Sequence, residues 1–242
     1  FLFSLYYDIH LNMNIKEHKN RIYHVKPIKM TNDQKIEGIH SPLADMYSFY
    51  YLIIGKPNSG KTCLWLSLLN EPSDNTYWEK FDQVHIFSKS LKTISTEIYL
   101  TEDRLHDGID DLEAVLDDIK DTDDRVLLIF DDVVTDIKET ELMQCLIYNR
   151  RHAWAAGISI IMISQVYNKI PLCLRKCASH LILFSTTNKR ELFSIYDDYI
   201  NLEKNNWLKL CKYVFRNAHD FLFINTNDNI YYRNFNLLTI TE

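Results

Sequence analysis

The stretch Tyr50-Tyr51-Leu52-Ile53-Ile54-Gly55-Lys56-Pro57-Asn58-Ser59-Gly60-Lys61-Thr62 joins an unbroken apolar, β-forming run to the spacing G-x-x-x-x-G-K-[ST]. The run after it, KTCLWLSLLN from Lys61, has helical composition until Pro72 stops it. Strand, loop and helix in that order form a phosphate cradle. The loop offers a row of backbone N–H groups, and the helix N-terminus adds the positive end of its dipole. Gly55, Lys56, Pro57, Asn58, Ser59, Gly60, Lys61, Thr62 and Cys63 are therefore the expected ATP-binding residues, with Lys61 on the β- and γ-phosphates and the Thr62 hydroxyl on Mg²⁺. A coincidental glycine-rich turn is the alternative, and the correct flanking elements count against it.

Outward from this centre the chain alternates strands and helices. Strands are expected at Gln83 to Ser88, Arg125 to Phe130, Ile158 to Ile163 and Leu181 to Phe184. Helices are expected over Ile109 to Lys120, about Lys138 to His152, Lys189 to Tyr199 and Leu202 to Phe215. Phe221 to Asn225 and Ile230 to Phe235 flank an Asn-Asp-Asn turn and read as a terminal hairpin. The fold class that follows is α/β, a P-loop NTPase whose largely parallel sheet carries helices on both faces and a C-terminal β-hairpin. Asn14 to Ser48 is polar and without sustained periodicity apart from a short strand near Ile22 to Val25, and residues 1–48 together read as an irregular lead-in to one ATPase domain at 49–242.

Composition narrows the partners. With 27 Lys plus Arg against 33 Asp plus Glu the net charge is −6, so no whole-protein basic field is expected to hold a polyanion and any DNA contact must be local. Lys169, Arg175 and Lys176 in YNKIPLCLRK form the best local cationic site, with a merely solvated surface as the alternative. Five cysteines, an odd number, favour reduced thiols. The spacing of Cys173, Cys177 and His180 lacks a second ligand pair, so these read as packing residues rather than a zinc site. FLFSLYYDIHLN at the start has neither a cationic n-region nor an apolar run long enough to span a bilayer, so no membrane partner is expected. With Phe at position 1 and the first Met at Met13, residues 1–12 read as a translated upstream stretch or a fragment boundary.

Phosphoryl transfer also needs acids near the cradle. LLIFDD ends a buried strand on Asp131, the expected Mg²⁺ carboxylate, and Asp132, which would orient or deprotonate the attacking water unless it is a helix cap or turn residue. Ser164-Gln165 closes the next strand, where the Gln165 amide would meet the γ-phosphate or the lytic water; an ordinary polar strand end is the alternative. Arg151, ahead of Arg150, is the candidate arginine finger for a neighbouring subunit, against the alternative that both cations complement a helix C-terminus.

GKPNSGKT, LLIFDDV and NRRHAWAAGISIIMISQVYNKIPLCLRK together resemble the packaging ATPases of poxvirus-type large nucleocytoplasmic DNA viruses and virophages, within the FtsK/HerA superfamily. The likeness runs from about Tyr50 to Phe235. It implies a five-stranded P-loop core with an extra strand between the Walker A and Walker B strands, ATP and Mg²⁺ as cofactors, and roles for Lys61, Thr62, Asp131 and Gln165 in hydrolysis. It further implies a homo-oligomeric ring, double-stranded DNA and viral capsid or vertex proteins as partners, and a place in the viral factory of the host cytoplasm or with the virion. Two features depart from the family pattern: the insertion-like Ala153 to Gly157, and Asp132 where Glu is common. The same Walker residues would also serve a nucleotide-gated capsid-assembly protein; a third reading, a DNA-tethering module without motor activity, is disfavoured by the net charge of −6.

Overall fold

The computed structural model describes residues 34–70, 75–94, 104–133, 141–154 and 156–240. The strand expected near Ile22 to Val25, the stop at Pro72 and the first residues of the helix expected from Lys138 lie outside them.

Among the described residues nine strands form one sheet: β1 Tyr50–Ile54, β2 Gln83–Ser88, β3 Leu105–His106, β4 Val126–Asp131, β5 Ile158–Ser164, β6 His180–Phe184, β7 Phe221–Asn225, β8 Ile230–Arg233 and β9 Asn236–Leu237. Their spatial order is β3-β2-β4-β5-β1-β6-β7-β8-β9. The first six run parallel, and β7, β8 and β9 add an antiparallel end. This is the P-loop architecture with its terminal hairpin, and β5 is the strand lying between the phosphate-loop strand β1 and the acid-bearing strand β4. β1, β4, β5 and β6 are buried at every position, which is why they read as continuous apolar runs rather than alternating ones.

Alternation reappears in which core each side chain enters. Tyr50, Leu52 and Ile54 join one apolar layer, whereas Tyr51 and Ile53 join the other. The first layer is closed by buried residues of the helices α3 Leu112–Ile119, α4 Glu141–Asn149, α6 Lys189–Tyr199 and α7 Lys204–Val214 and of the single turn α5 Leu172–Arg175. The second is closed by α1 Lys61–Asn70 through Trp65 and Leu68, and by residues 36–49. A further turn, α2 Leu91–Ile94, follows β2.

Residues 34–48 contain no helix or strand beyond one bridge between Lys35 and Met46, yet Ile36, Ile39, Leu43 and Tyr47 are buried in that second layer. The Tyr51 hydroxyl accepts from the Ala44 N–H at 2.7 Å and pairs with the Tyr77 hydroxyl at 2.7 Å, so the segment is pinned by buried polar contacts as well. A domain boundary at residue 48 would cut through this core. The sequence does not show it because irregular backbone carries no periodicity, and its packing depends on Tyr51 and Tyr77, which lie outside the segment.

Candidate active site

In a parallel sheet the C-terminal strand ends share one edge, so β1, β4 and β5 deliver Gly55, Asp131–Asp132 and Gln165 to the same place. The loop after β1 turns through left-handed Asn58 (φ +60°) and Gly60 (φ +104°), and N–H groups arranged around such turns form an anion-binding concavity. Gly55 is set so tightly that a Cβ there would lie 2.5 Å from Ser59 Oγ and 2.8 Å from Phe184 Cβ. The buried Ser59 hydroxyl has no hydrogen-bond partner among the described residues. Lys61, only 6% exposed, donates from Nζ to the Lys56 carbonyl at 3.1 Å, folding back over its own loop. Thr62 and Cys63 follow in the first turn of α1.

Asp131 is 5% exposed, and burial, reinforced by the negative charge of Asp132, pushes its carboxyl up from 3.8 to about 6, against the pull of Ser88 and Lys61. Ser88 Oγ reaches Asp131 Oδ2 from the adjacent strand at 3.4 Å. Burial also lowers the Lys61 ammonium, which Asp132 and Asp131 hold up. A buried carboxylate with one weak hydroxyl donor, a serine hydroxyl unpartnered among the described residues and a lysine hydrogen-bonded to a loop carbonyl fit a magnesium-bound triphosphate. The cation would compensate Asp131 and the phosphates would satisfy Ser59 and Lys61.

Asp132 takes a left-handed conformation (φ +54°), tolerated by Asp more readily than by most residues. Its N–H donates to Ile163 O at 3.2 Å, and its carboxylate accepts from Gln165 Nε2 at 2.8 Å. The structure therefore couples the two residues that the sequence offered separately.

The arginines part company. Arg150 is spent on the fold: it donates from Nε to Ser48 O at 2.9 Å, from one terminal nitrogen to Ile147 O at 2.7 Å and from the other to Cys177 O at 3.4 Å. The Ile147 carbonyl belongs to the last turn of α4, so the helix-terminus reading holds for Arg150. Arg151 is exposed and begins the Arg151 to Gly157 loop, whose base is closed by Ile158 N–H donating to Arg150 O at 2.8 Å. That loop lies at the N-terminal end of β5, a seven-residue strand spanning about 23 Å, so Arg151 stands at the sheet edge opposite its own phosphate loop.

Arg175 also changes role. It lies over the Tyr167 ring, 4.7 Å from the centroid, and its Nε sits 3.1 Å from Asp198 Oδ2, the carboxylate oxygen that accepts from Tyr167 OH at 2.7 Å. Its side chain is 15% exposed, so Arg175 is a packed clamp on the segment after Gln165 rather than a cation available to DNA. Lys176 is more exposed and 3.8 Å from the same carboxylate. No cluster of three or more His, Cys, Asp and Glu among the described residues is arranged to hold a metal.

Two site residues were missed. Ser88 is recognisable only once β2 is paired in register with Asp131. His219 approaches from the loop before β7, its Nδ1 3.1 Å from Ser59 O, and no local pattern announces it.

A family model described as "Poxvirus A32 protein" matches residues 41–225. The chain belongs to that family. The resemblance read from the sequence is borne out, and the match ends close to the last core strand of the A32-type domain, β7. No curated protein matches by sequence. Among solved structures, this A32-family chain is similar to B204, the DNA-packaging ATPase from Sulfolobus Turreted Icosahedral Virus, with a TM-score of 0.58 and 19% identity over 81% of this chain and 99% of that one. It is likewise similar to the genome packaging NTPase B204 from Sulfolobus turreted icosahedral virus 2 in complex with AMPPCP, with a TM-score of 0.57 and 17% identity over 80% and 98% of the two chains. At these identities the likeness shows the shared fold. No helix among the described residues is long and apolar enough to cross a membrane.

Proposed function

We propose that this A32-family chain is an ATP-hydrolysing motor that moves double-stranded DNA into a viral capsid, working as a homo-oligomeric ring beside capsid or vertex proteins. The observation that carries the reading is the convergence of Lys61, Thr62, Asp131, Asp132 and Gln165 at one edge of three adjacent parallel strands. Family membership supports it, as do the packaging roles named for B204. The same reading implies a place in the host cytoplasm at the viral factory, or with the virion.

Lys61 and the loop N–H groups bind and neutralise the β- and γ-phosphates. Thr62 and Asp131 would hold Mg²⁺, which when bound draws charge from the γ-phosphate oxygens as the bond breaks. Asp132 accepts a proton from the attacking water, and Gln165, already bonded to that carboxylate, fixes its direction. The Gln165 amide bonds either Asp132 or a γ-phosphate, so its choice reports nucleotide state to the Tyr167–Arg175–Asp198 clamp that follows it. Arg151, at the opposite edge from its own loop, is assigned to a neighbouring subunit's nucleotide.

ATP turnover measured with and without duplex DNA, alongside oligomer mass, tests this. The expected result is DNA-stimulated turnover by an oligomer, lost in a folded Lys61→Ala variant. Turnover indifferent to DNA would instead favour a nucleotide-gated assembly protein, and DNA binding without turnover a tethering module.

A further inference from the structure

The net charge of −6 conceals a segregation. Residues 107–124 carry nine acids and one Lys, more negative charge than the whole chain shows, so the remainder of the molecule is net positive. The acids surround α3, in the first helical layer towards the β3-β2 side of the sheet. Towards the other side, residues 204–219 carry Lys204, Lys209, Lys212 and Arg216 and no acid at all.

These cations are placed rather than scattered. α7 buries Trp207, Leu210, Cys211 and Val214 on one face. At 100° per residue Lys209 and Lys212 fall about 60° apart, opposite that face, and Arg216 follows two residues beyond the end of the helix. All three are exposed, and none forms an ion pair with a carboxylate among the described residues. Arg216 is held 4.0 Å over the Tyr213 ring, which orders its guanidinium while leaving its edge open. A cleft of about 550 Å³ runs beside the stripe, walled by Asn206, Tyr213, Leu237 and Thr239 among others, again without a carboxylate. Favourable interaction with a helix C-terminus accounts for Lys212 and Arg216 but not for mid-helix Lys209, nor for Lys204 in the first turn, where the dipole opposes a cation.

We infer that Lys209 and Lys212 on the exposed face of α7, with Arg216 just beyond the helix end, bind the phosphate backbone of duplex DNA. The inference rests on the motor reading and says where the polyanion lies. It fits sequence-independent binding, since a row of cations positions phosphates without reading bases. It also gives the DNA a short path to the nucleotide. Because β7 runs antiparallel to β6, the loop leaving α7 returns to the phosphate-loop edge, where His219, three residues after Arg216, touches Ser59 O at 3.1 Å.

The test uses the full chain with Lys209→Gln, Lys212→Gln and Arg216→Gln combined, and fluorescence anisotropy of a labelled random-sequence duplex over a salt series. Losing three phosphate contacts should make the slope of log K against log salt shallower by about 2.7, at about 0.9 per contact. DNA stimulation of turnover should fall with it, while basal turnover and nucleotide binding stay at the wild-type level. A Lys169→Gln, Lys176→Gln pair should change the slope little, and Lys212→Glu alone should weaken binding at a preserved melting temperature, which keeps the test independent of the triple variant's folding. A wild-type slope in the triple variant, or a smaller oligomer that still binds DNA normally, overturns the inference and would make this face a subunit contact. Absence of duplex binding by the wild-type chain at low salt overturns it together with the motor reading, so the two failures are distinguishable.

Discussion

Replacing Asp131 by Asn should make the metal-free protein more stable and destroy its function at the same time. In the fold the carboxyl titrates near 6 instead of 3.8, chiefly because it is buried, so the ionised form is the unfavourable one. Between those two values the folded chain binds more protons than the unfolded chain, and stability falls as pH rises. Above about pH 6 the full cost is present, about 3 kcal/mol at roughly 1.36 kcal/mol per pKa unit. Asn keeps the shape and has no charge to desolvate, so it should recover about 2 to 3 kcal/mol at pH 8 and almost nothing at pH 4. The assay is urea unfolding of both chains at the two pH values with EDTA present. Adding Mg²⁺ and ATP should reverse the order, since the wild type gains the cation that its carboxylate lacks. An Asn variant equally or less stable at pH 8, or a gain independent of pH, would refute the electrostatic account of Asp131.

Gly55→Ala should abolish ATP binding and lower stability by about 1 to 3 kcal/mol, because the new Cβ meets Phe184 Cβ at 2.8 Å and β6 has to move away from β1; isothermal titration and urea melts report both effects. Arg150→Ala should cost about 3 kcal/mol by leaving three carbonyls without their donor, whereas Arg151→Ala should lose turnover while still binding ATP. Activity recovered by mixing Arg151→Ala with Lys61→Ala chains would show the arginine acting in trans, and none after verified co-assembly would count against it. Asp198→Ala should destabilise by about 3 kcal/mol, since it strands the packed Arg175 guanidinium and the Tyr167 hydroxyl; retention of the wild-type melting temperature would show that the clamp contributes nothing.

The sequence alone determined the elements whose causes are local. Tyr50 to Ile54, Ile158 to Ile163 and the hairpin runs are legible because burial on both faces, or a turn between β-formers, writes itself into consecutive residues. The phosphate loop is legible for the same reason: anion binding by N–H groups needs glycines and a helix start at fixed offsets. Tertiary structure decided everything that depends on which distant residue arrives. Arg150 and Arg151 are adjacent and chemically identical, yet one is half-buried against the Ser48 and Cys177 carbonyls and the other is exposed. Arg175 looked like a phosphate ligand until Asp198, on α6, took its charge. Ser88 and His219 entered the site from strands and loops remote in sequence, and the cations of α7 became one face only when Trp207 and its neighbours chose the other for burial. Local free energy sets which residues become strand, loop or helix, whereas the partner a charged side chain finds is fixed by long-range packing, which no window of sequence contains.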